Sequence, residues 1–125
     1  MDGDASPWHG RRVLVAGCTG FLGSAVTREL IARGAVVVGL VRNRGRAAGL
    51  ARGLGPGTFR LALGRVEDAQ RLHALMAVHE VSAAFDMTGS EGGTDALLHA
   101  TGLYHPRVPV ATARPQNHLS VSRYG

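Results

Sequence analysis

The segment "VLVAGCTGFLGSAV", residues 13–26, constrains the fold more than any other part of the chain. A continuous apolar run enters a turn with glycines at 17, 20 and 23, and a segment of helical period leaves it. A short apolar run without alternation reads as a strand buried on both faces. In the segment that follows, Leu22, Val26 and Leu30 share one face, while Arg28, Glu29 and Arg33 lie elsewhere. Strand, glycine turn and helix in direct succession open a β–α–β unit.

The rest of the chain repeats that alternation. The expected elements are a strand at 12–16, a helix at 21–33 stopped by Gly34, and a β-branched strand at 36–41. The stretch "RNRGRAAGLARGLGPG", 42–57, carries a weak helix in its middle and a Gly/Pro loop at its end. A strand at 58–63, a helix at 68–79 capped by Asp68, and a strand at 81–87 come next. Thr94 is placed to cap a helix running to about Tyr104. Residues 108–113 read as a fifth strand, and Pro109 within it argues for an edge position. The tail from 114 has no clear period. Such a pattern predicts an α/β fold, a doubly wound parallel sheet of about five strands in the order 3-2-1-4-5. The expected division is an N-terminal arm at 1–10, a single minimal domain at 11–113 and an irregular tail at 114–125.

Composition narrows the function. All fourteen basic residues are Arg, none is Lys, and the net charge is +5. The Arg fork pairs with phosphate, so a phosphorylated small molecule is the expected partner. Three Phe, two Tyr and one Trp leave little for base stacking, which argues against nucleic acid. No apolar run approaches the ~20 residues of a membrane span. The opening "MDGDASPWHGRR" has no apolar core and does not read as a secretory signal. A single cysteine leaves no intramolecular disulfide, and together these features point to the cytoplasm. Histidines at 9, 73, 79, 99, 105 and 118 lack metal-ligand spacing, so no metal site is expected. Cys18 precedes a helix N-terminus, which favours a thiolate, although the place also asks simply for a small residue.

In a sheet of this type ligands gather over the first strand-to-helix turn. Gly17 would permit the tight turn, Gly20 the approach of phosphates, and Gly23 the close packing of helix on strand. The amides of Phe21 and Leu22 would then face a diphosphate from the helix N-terminus.

At these residues the sequence resembles the extended short-chain dehydrogenase/reductase family, the nucleotide-sugar epimerases and dehydratases. The likeness runs through "VLVAGCTGFLGSAVTRELIARGAVVVGLVRN", "GRVEDAQRLHALMAVHEVSAAFDMTG" and "GTDALLHA", covering residues 8–113. The opening "WHGRRVLVAGCTGFLGS" is particularly similar to sugar-nucleotide 4,6-dehydratases. The resemblance implies a Rossmann-like fold and an NAD(P) cofactor. It assigns Gly17, Thr19, Gly20, Phe21, Leu22 and Gly23 to the pyrophosphate loop. It sets Arg42 and Asn43 at the adenosine ribose, Arg65 and Val66 at the adenine, and Thr88 and Gly89 beside the cofactor. Arg42 cannot accept a bond from a 2′-hydroxyl but can pair with a 2′-phosphate, which favours NADP over NAD. Arg44 and Arg46 stand ready to assist.

The chain also departs from the family. Arg65 replaces the usual acid, Asp86 is unusual at its place, and only "SEGGT" separates the fourth strand from the next helix. The family's chemistry uses a Tyr followed four residues later by a Lys, and this chain has no Lys. The segment "SVSRYG" resembles one that precedes the catalytic tyrosine, which sets the end of the chain ahead of that centre. The expectation is therefore a reduced NAD(P)-binding protein without conventional oxidoreductase chemistry, acting as a binding or partner subunit. A vestigial site would hold no cofactor. An exposed edge near the fifth strand would favour a homo-oligomer or a partner protein. The alternative is a small non-redox enzyme of the cyclase, dehydratase or isomerase type, in a biosynthetic pathway. Asp86, His99 and Tyr104, near Glu91 and Asp95, are its candidates for proton transfer.

Overall fold

Strand β1 (Arg12–Ala16) runs parallel between β2 (Val36–Val41) and β4 (Ala83–Asp86), so the glycine turn leaves from the middle of the sheet. The computed structural model describes residues 6–55, 57–89, 96, 99, 108–113 and 119–122. β3 (Phe59–Leu63) lies parallel on the far side of β2, and β5 (Val110–Ala113) lies parallel beside β4. The parallel strands follow the expected order 3-2-1-4-5. Helices α1 (Phe21–Ala32), α2 (Gly45–Arg52) and α3 (Ala69–Val78) link them.

Side chains of β1 alternate between two apolar layers. Leu14 and Ala16 join α3 through Leu72, Leu75 and Met76. Val13 and Val15 face the other way, with Leu30 of α1 and Ala47 and Leu50 of α2. Both faces are covered, which is why the strands read as unbroken apolar runs. Gly34 ends α1 as expected. Its amide donates to the Ile31 carbonyl at 3.0 Å, and the Ala35 amide donates to the Leu30 carbonyl at 3.0 Å. This is a Schellman ending, with Gly34 at φ +95°. α3 ends with the same pair of bonds, from Glu80 to Ala77 and from Val81 to Met76, but there the left-handed residue is Glu80 at φ 53°. Asp68 caps α3 as the sequence predicts, its Oδ1 accepting from the Arg71 amide at 3.0 Å.

The structure differs from the sequence reading at the far edge. Pro109 precedes β5 rather than interrupting it, and β5 is flanked on both sides. Its second neighbour is β6 (Leu119–Ser122), antiparallel, with Ala113 opposite Leu119 and Val110 opposite Ser122. The tail expected to be irregular thus supplies a strand, and the sheet has six strands in place of five. Leu119, Ser120, Val121 and Ser122 do alternate, but four residues are too short a run to register as a period. The helix expected from Thr94 to Tyr104 lies outside the described residues, except that Ala96 and His99 are helical.

The N-terminal arm closes the amino ends of the strands. The Trp8 ring lies 5.9 Å from that of Phe85, and the Arg11 guanidinium sits 4.9 Å from the Trp8 centroid. Arg11 also donates through Nη2 to the Ser82 carbonyl at 2.8 Å and through Nε to Ser82 Oγ at 3.0 Å.

Candidate functional site

The site is built where β1 stops. Gly17 adopts φ +79°, and a Cβ there would lie 2.9 Å from the carbonyl carbon of Met87 and 3.0 Å from the Thr88 amide nitrogen. The turn is therefore pressed against the end of β4, and only glycine meets both demands. Gly23 faces the same turn from above, where a Cβ would fall within the van der Waals shell of the Gly17 carbonyl. The expected role of Gly23, close packing of the helix, has this physical basis. At Gly20 a Cβ would meet only the Gly17 oxygen, at 3.5 Å, so the front of the turn is open.

α1 begins at Phe21 with Gly20 as N-cap, without a side-chain cap and without an acid in its first turn. No acid in that turn offsets the positive end of its dipole, as suits an anion. Phe21 itself is 95% exposed. Leu22 packs instead on the core layer beneath α1.

Cys18 is fully buried in this turn. Burial pushes its thiol up to about 11, against a smaller opposing effect of a backbone hydrogen bond. The helix end does not win here, because loss of water costs the thiolate more than the amides return. The Cys18 Sγ fills the space a Cβ at Gly39 would need. It is a small packed side chain, as the plainer of the two sequence readings has it.

A cleft of about 240 Å³ lies over the carboxyl ends of β1, β2, β3 and β4. Its walls include Gly17, Thr19, Arg42, Asn43, Val66 and Thr88 of the residues expected from sequence. Arg46 joins them from α2. Among the described residues neither Arg42 nor Arg46 has an acidic partner, and both are exposed. Asn43 accepts the Gly45 amide at 3.1 Å and so starts α2. Val66 is buried in the α3-side core while forming part of the cleft wall.

Gly20, Phe21, Leu22, Gly23, Arg65 and Gly89 are not among the lining residues. Arg65 reaches Glu67 at 3.7 Å, with its side chain 65% exposed. Ala16, Leu40, Val41 and Gly64 line the cleft and were missed by motif reasoning. Register would have found them: Ala16 pairs with Leu40, and Val41 with Leu63, the last rungs of their ladders.

At the end of β4, Asp86 is 1% exposed. Its Oδ1 accepts the Thr88 amide at 3.0 Å and the Thr88 hydroxyl at 2.6 Å. His99 is exposed on its helical turn. Tyr104, Glu91 and Asp95, and the short loop at 90–94, lie outside the described residues. Among the described residues no three His, Cys, Asp or Glu side chains gather as a metal site, and no helix is long and apolar enough to cross a membrane.

A parallel sheet with this turn and a cleft across its carboxyl ends defines a Rossmann-type nucleotide-binding fold. The sequence profile of the NAD dependent epimerase/dehydratase family matches residues 13–111, and the chain belongs to that family. Among curated proteins no sequence matches it. Solved structures with the same fold include yeast methylglyoxal/isovaleraldehyde reductase complexed with NADPH, at 18% identity and TM-score 0.69, covering 81% of this chain and 36% of that one. WbmH of Bordetella bronchiseptica in complex with NAD+ aligns at 17% identity and TM-score 0.63, covering 77% and 36%. UDP-glucose 4-epimerase of Thermotoga maritima, with UDP-glucose, aligns at 19% identity and TM-score 0.61, covering 74% and 34%. The chain thus spans about a third of the length of these proteins. At these identities the likeness speaks for the fold.

Proposed function

We propose that the cleft binds NADP in preference to NAD, and that this chain serves as a nucleotide-binding or partner subunit. The observation that carries the preference is the pair Arg42 and Arg46, both on the cleft wall and both without an acidic partner among the described residues. A ribose 2′-hydroxyl would ask for an acceptor at this end of β2, and two guanidinium groups offer only donors. A 2′-phosphate would be held by both. The glycine turn and the uncapped start of α1 would take the diphosphate. Gly20, Phe21 and Leu22 contribute backbone there, and Gly89 would flank the cofactor beyond Thr88.

Hydride chemistry of the family's usual kind needs a lysine beside its tyrosine, and none of these 125 residues is lysine. Binding without that chemistry, in the cytoplasm and as a homo-oligomer or with a partner chain, is the function we favour. The alternative of proton transfer by Asp86, His99 and Tyr104 draws less support. Asp86 is engaged with Thr88, and His99 points outward.

Titration with NADPH, NADH, 2′,5′-ADP and 5′-AMP tests the preference. The 2′-phosphorylated member of each pair should bind at least about tenfold tighter, and Arg42→Ala should erase most of that gap. Equal affinities within each pair would remove the NADP preference. No binding of any of the four at low salt would remove the nucleotide reading. Light scattering with and without NADPH tests the assembly.

A further inference from the structure

β6 covers the edge of the sheet beside β5, while β3 bounds the other side and has, among the described residues, a neighbour on one flank only. We infer that the open flank of β3 is a docking edge for an extended acidic segment of another protein, apolar on one face and carrying Asp or Glu on the other. This goes beyond the nucleotide reading and does not depend on it.

In a parallel ladder successive residues turn their amide and carbonyl to opposite sides. The Val37 amide donates to the Thr58 carbonyl at 2.8 Å, and the Gly64 amide donates to the Val41 carbonyl at 2.9 Å. The backbone of Thr58, Arg60, Ala62 and Gly64 therefore faces β2, and that of Phe59, Leu61 and Leu63 faces outward. Arg71 marks the direction, since its Nε donates to the Leu63 carbonyl at 2.9 Å. The amides of Phe59, Leu61 and Leu63 and the carbonyls of Phe59 and Leu61 remain as a template for one more strand.

The two faces of β3 differ in chemistry. Phe59 and Leu61 belong to the layer under α1 and α2, and Leu63, 36% exposed, continues their row. Ala62 belongs to the α3 layer, and Arg60 stands exposed on that same face. Arg71 reaches in from α3, and His79 ends that helix. Burial, and after it the charges of Arg60 and Arg71, hold the His79 ring below the usual histidine pKa, so the three share one electrostatic field. Among the described residues neither arginine has a salt bridge: Glu67 lies against Arg65, and Glu80 against Arg12.

An added strand sets alternate side chains on these same two faces. Opposite charges on neighbouring strands attract and like charges repel, so the α3 face calls for carboxylates and the other for aliphatic groups. Charge selects against a second copy, whose β3 would bring a further Arg60 to the same face. An exposed charge guards an edge strand against such pairing, and this guard admits an acidic strand.

The probe is a fluorescein-labelled peptide of alternating valine and glutamate, capped at both ends and read by anisotropy at low salt. One control replaces glutamate with lysine. Two others carry N-methyl groups on every second amide, one in each register. Wild type should bind the glutamate peptide at least about fivefold more tightly than the lysine peptide, the worth of a few exposed pairs. Arg60→Glu should invert that order, and Arg60→Gln should remove most of it. One N-methylated register should lose at least about tenfold, because main-chain bonds hold an added strand. NADPH affinity in Arg60→Glu should stay within about threefold of wild type. Equal affinity for the two charged peptides would overturn the inference, as would an unchanged order in Arg60→Glu or full binding of both N-methylated peptides. No binding of the glutamate peptide at millimolar concentration would overturn it too. If circular dichroism shows Arg60→Glu unfolded, Arg60→Gln and the wild-type contrasts decide instead. A wild-type protein that takes the glutamate peptide but no NADPH would sink the nucleotide reading and leave this one standing.

Discussion

Gly23 and Gly49 both sit inside helices, yet replacing each with alanine should move stability in opposite directions. Alanine is the better helix former by about 1 kcal/mol, and that gain applies to both. At Gly49, in α2, an added Cβ meets nothing within 4 Å, so the gain stands alone. At Gly23 the new carbon would be 2.7 Å from the Gly17 carbonyl carbon and 3.1 Å from Cys18 Cα, and closer still to the Gly17 oxygen. Ordinary carbon–carbon contact is about 3.5 Å, so α1 must retreat by at least roughly 0.8 Å. The turn cannot yield instead, because Gly17 is held from behind by Met87 and Thr88. Overpacking against backbone belongs at the upper end of its range, about 3 kcal/mol, which leaves a net loss of about 2 kcal/mol. For a chain of this size that is a fall in Tm of about 8 °C, against a rise of up to about 4 °C for Gly49→Ala. Thermal unfolding by circular dichroism reads both. The same retreat pulls the start of α1 away from the turn, so Gly23→Ala should also weaken 2′,5′-ADP by more than tenfold while Gly49→Ala leaves it alone. A Gly23→Ala protein as stable as wild type, or two variants shifting the same way, would refute the packing argument.

Three further outcomes are expected. Thr27 is fully buried in α1, and its hydroxyl has no hydrogen-bond partner among the described residues, so Thr27→Val should raise stability by about 1 kcal/mol in urea unfolding. The Cys18 thiol titrates near 9 when exposed and about 11 in the fold. Its contribution to stability is therefore complete below pH 9 and is lost as pH climbs from 9 toward 11; guanidinium midpoints should fall more steeply over that window than in Cys18→Ala, and Ellman's reagent should react at pH 8 only on unfolding. Glu80→Gly relieves a left-handed residue worth about 1 kcal/mol but gives up the exposed Arg12–Glu80 pair at 3.1 Å, so a net gain of about 0.5 kcal/mol should grow as salt is added. A loss at high salt would show that the left-handed turn carries no strain.

The strands and the glycine turn were legible because each is a local signal. Val13 to Ala16 is apolar at every place, and only a sheet covered on both sides asks for that. Asp68 and Gly34 mark helix ends by chemistry that acts within four residues. What was not legible depends on partners far along the chain. β6 exists through pairing with β5, and its own four residues are too few to announce it. Cys18 combined a favourable helix end with complete burial, and only the packing against Gly39 decides between them. Leu40, Val41 and Gly64 carry no motif and enter the cleft wall simply because their strands end there.

The clasp of Trp8, Arg11 and Phe85 gives the molecule a built-in optical contrast. The chain's single indole packs on Phe85, one residue before the end of β4, and the cleft lies beyond that strand's carboxyl end. Its emission should collapse when the fold opens. A colourless occupant such as 2′,5′-ADP should leave that emission untouched. A reduced nicotinamide should dim it across the sheet by dipolar energy transfer, so one lamp distinguishes an unfolded chain from an occupied one.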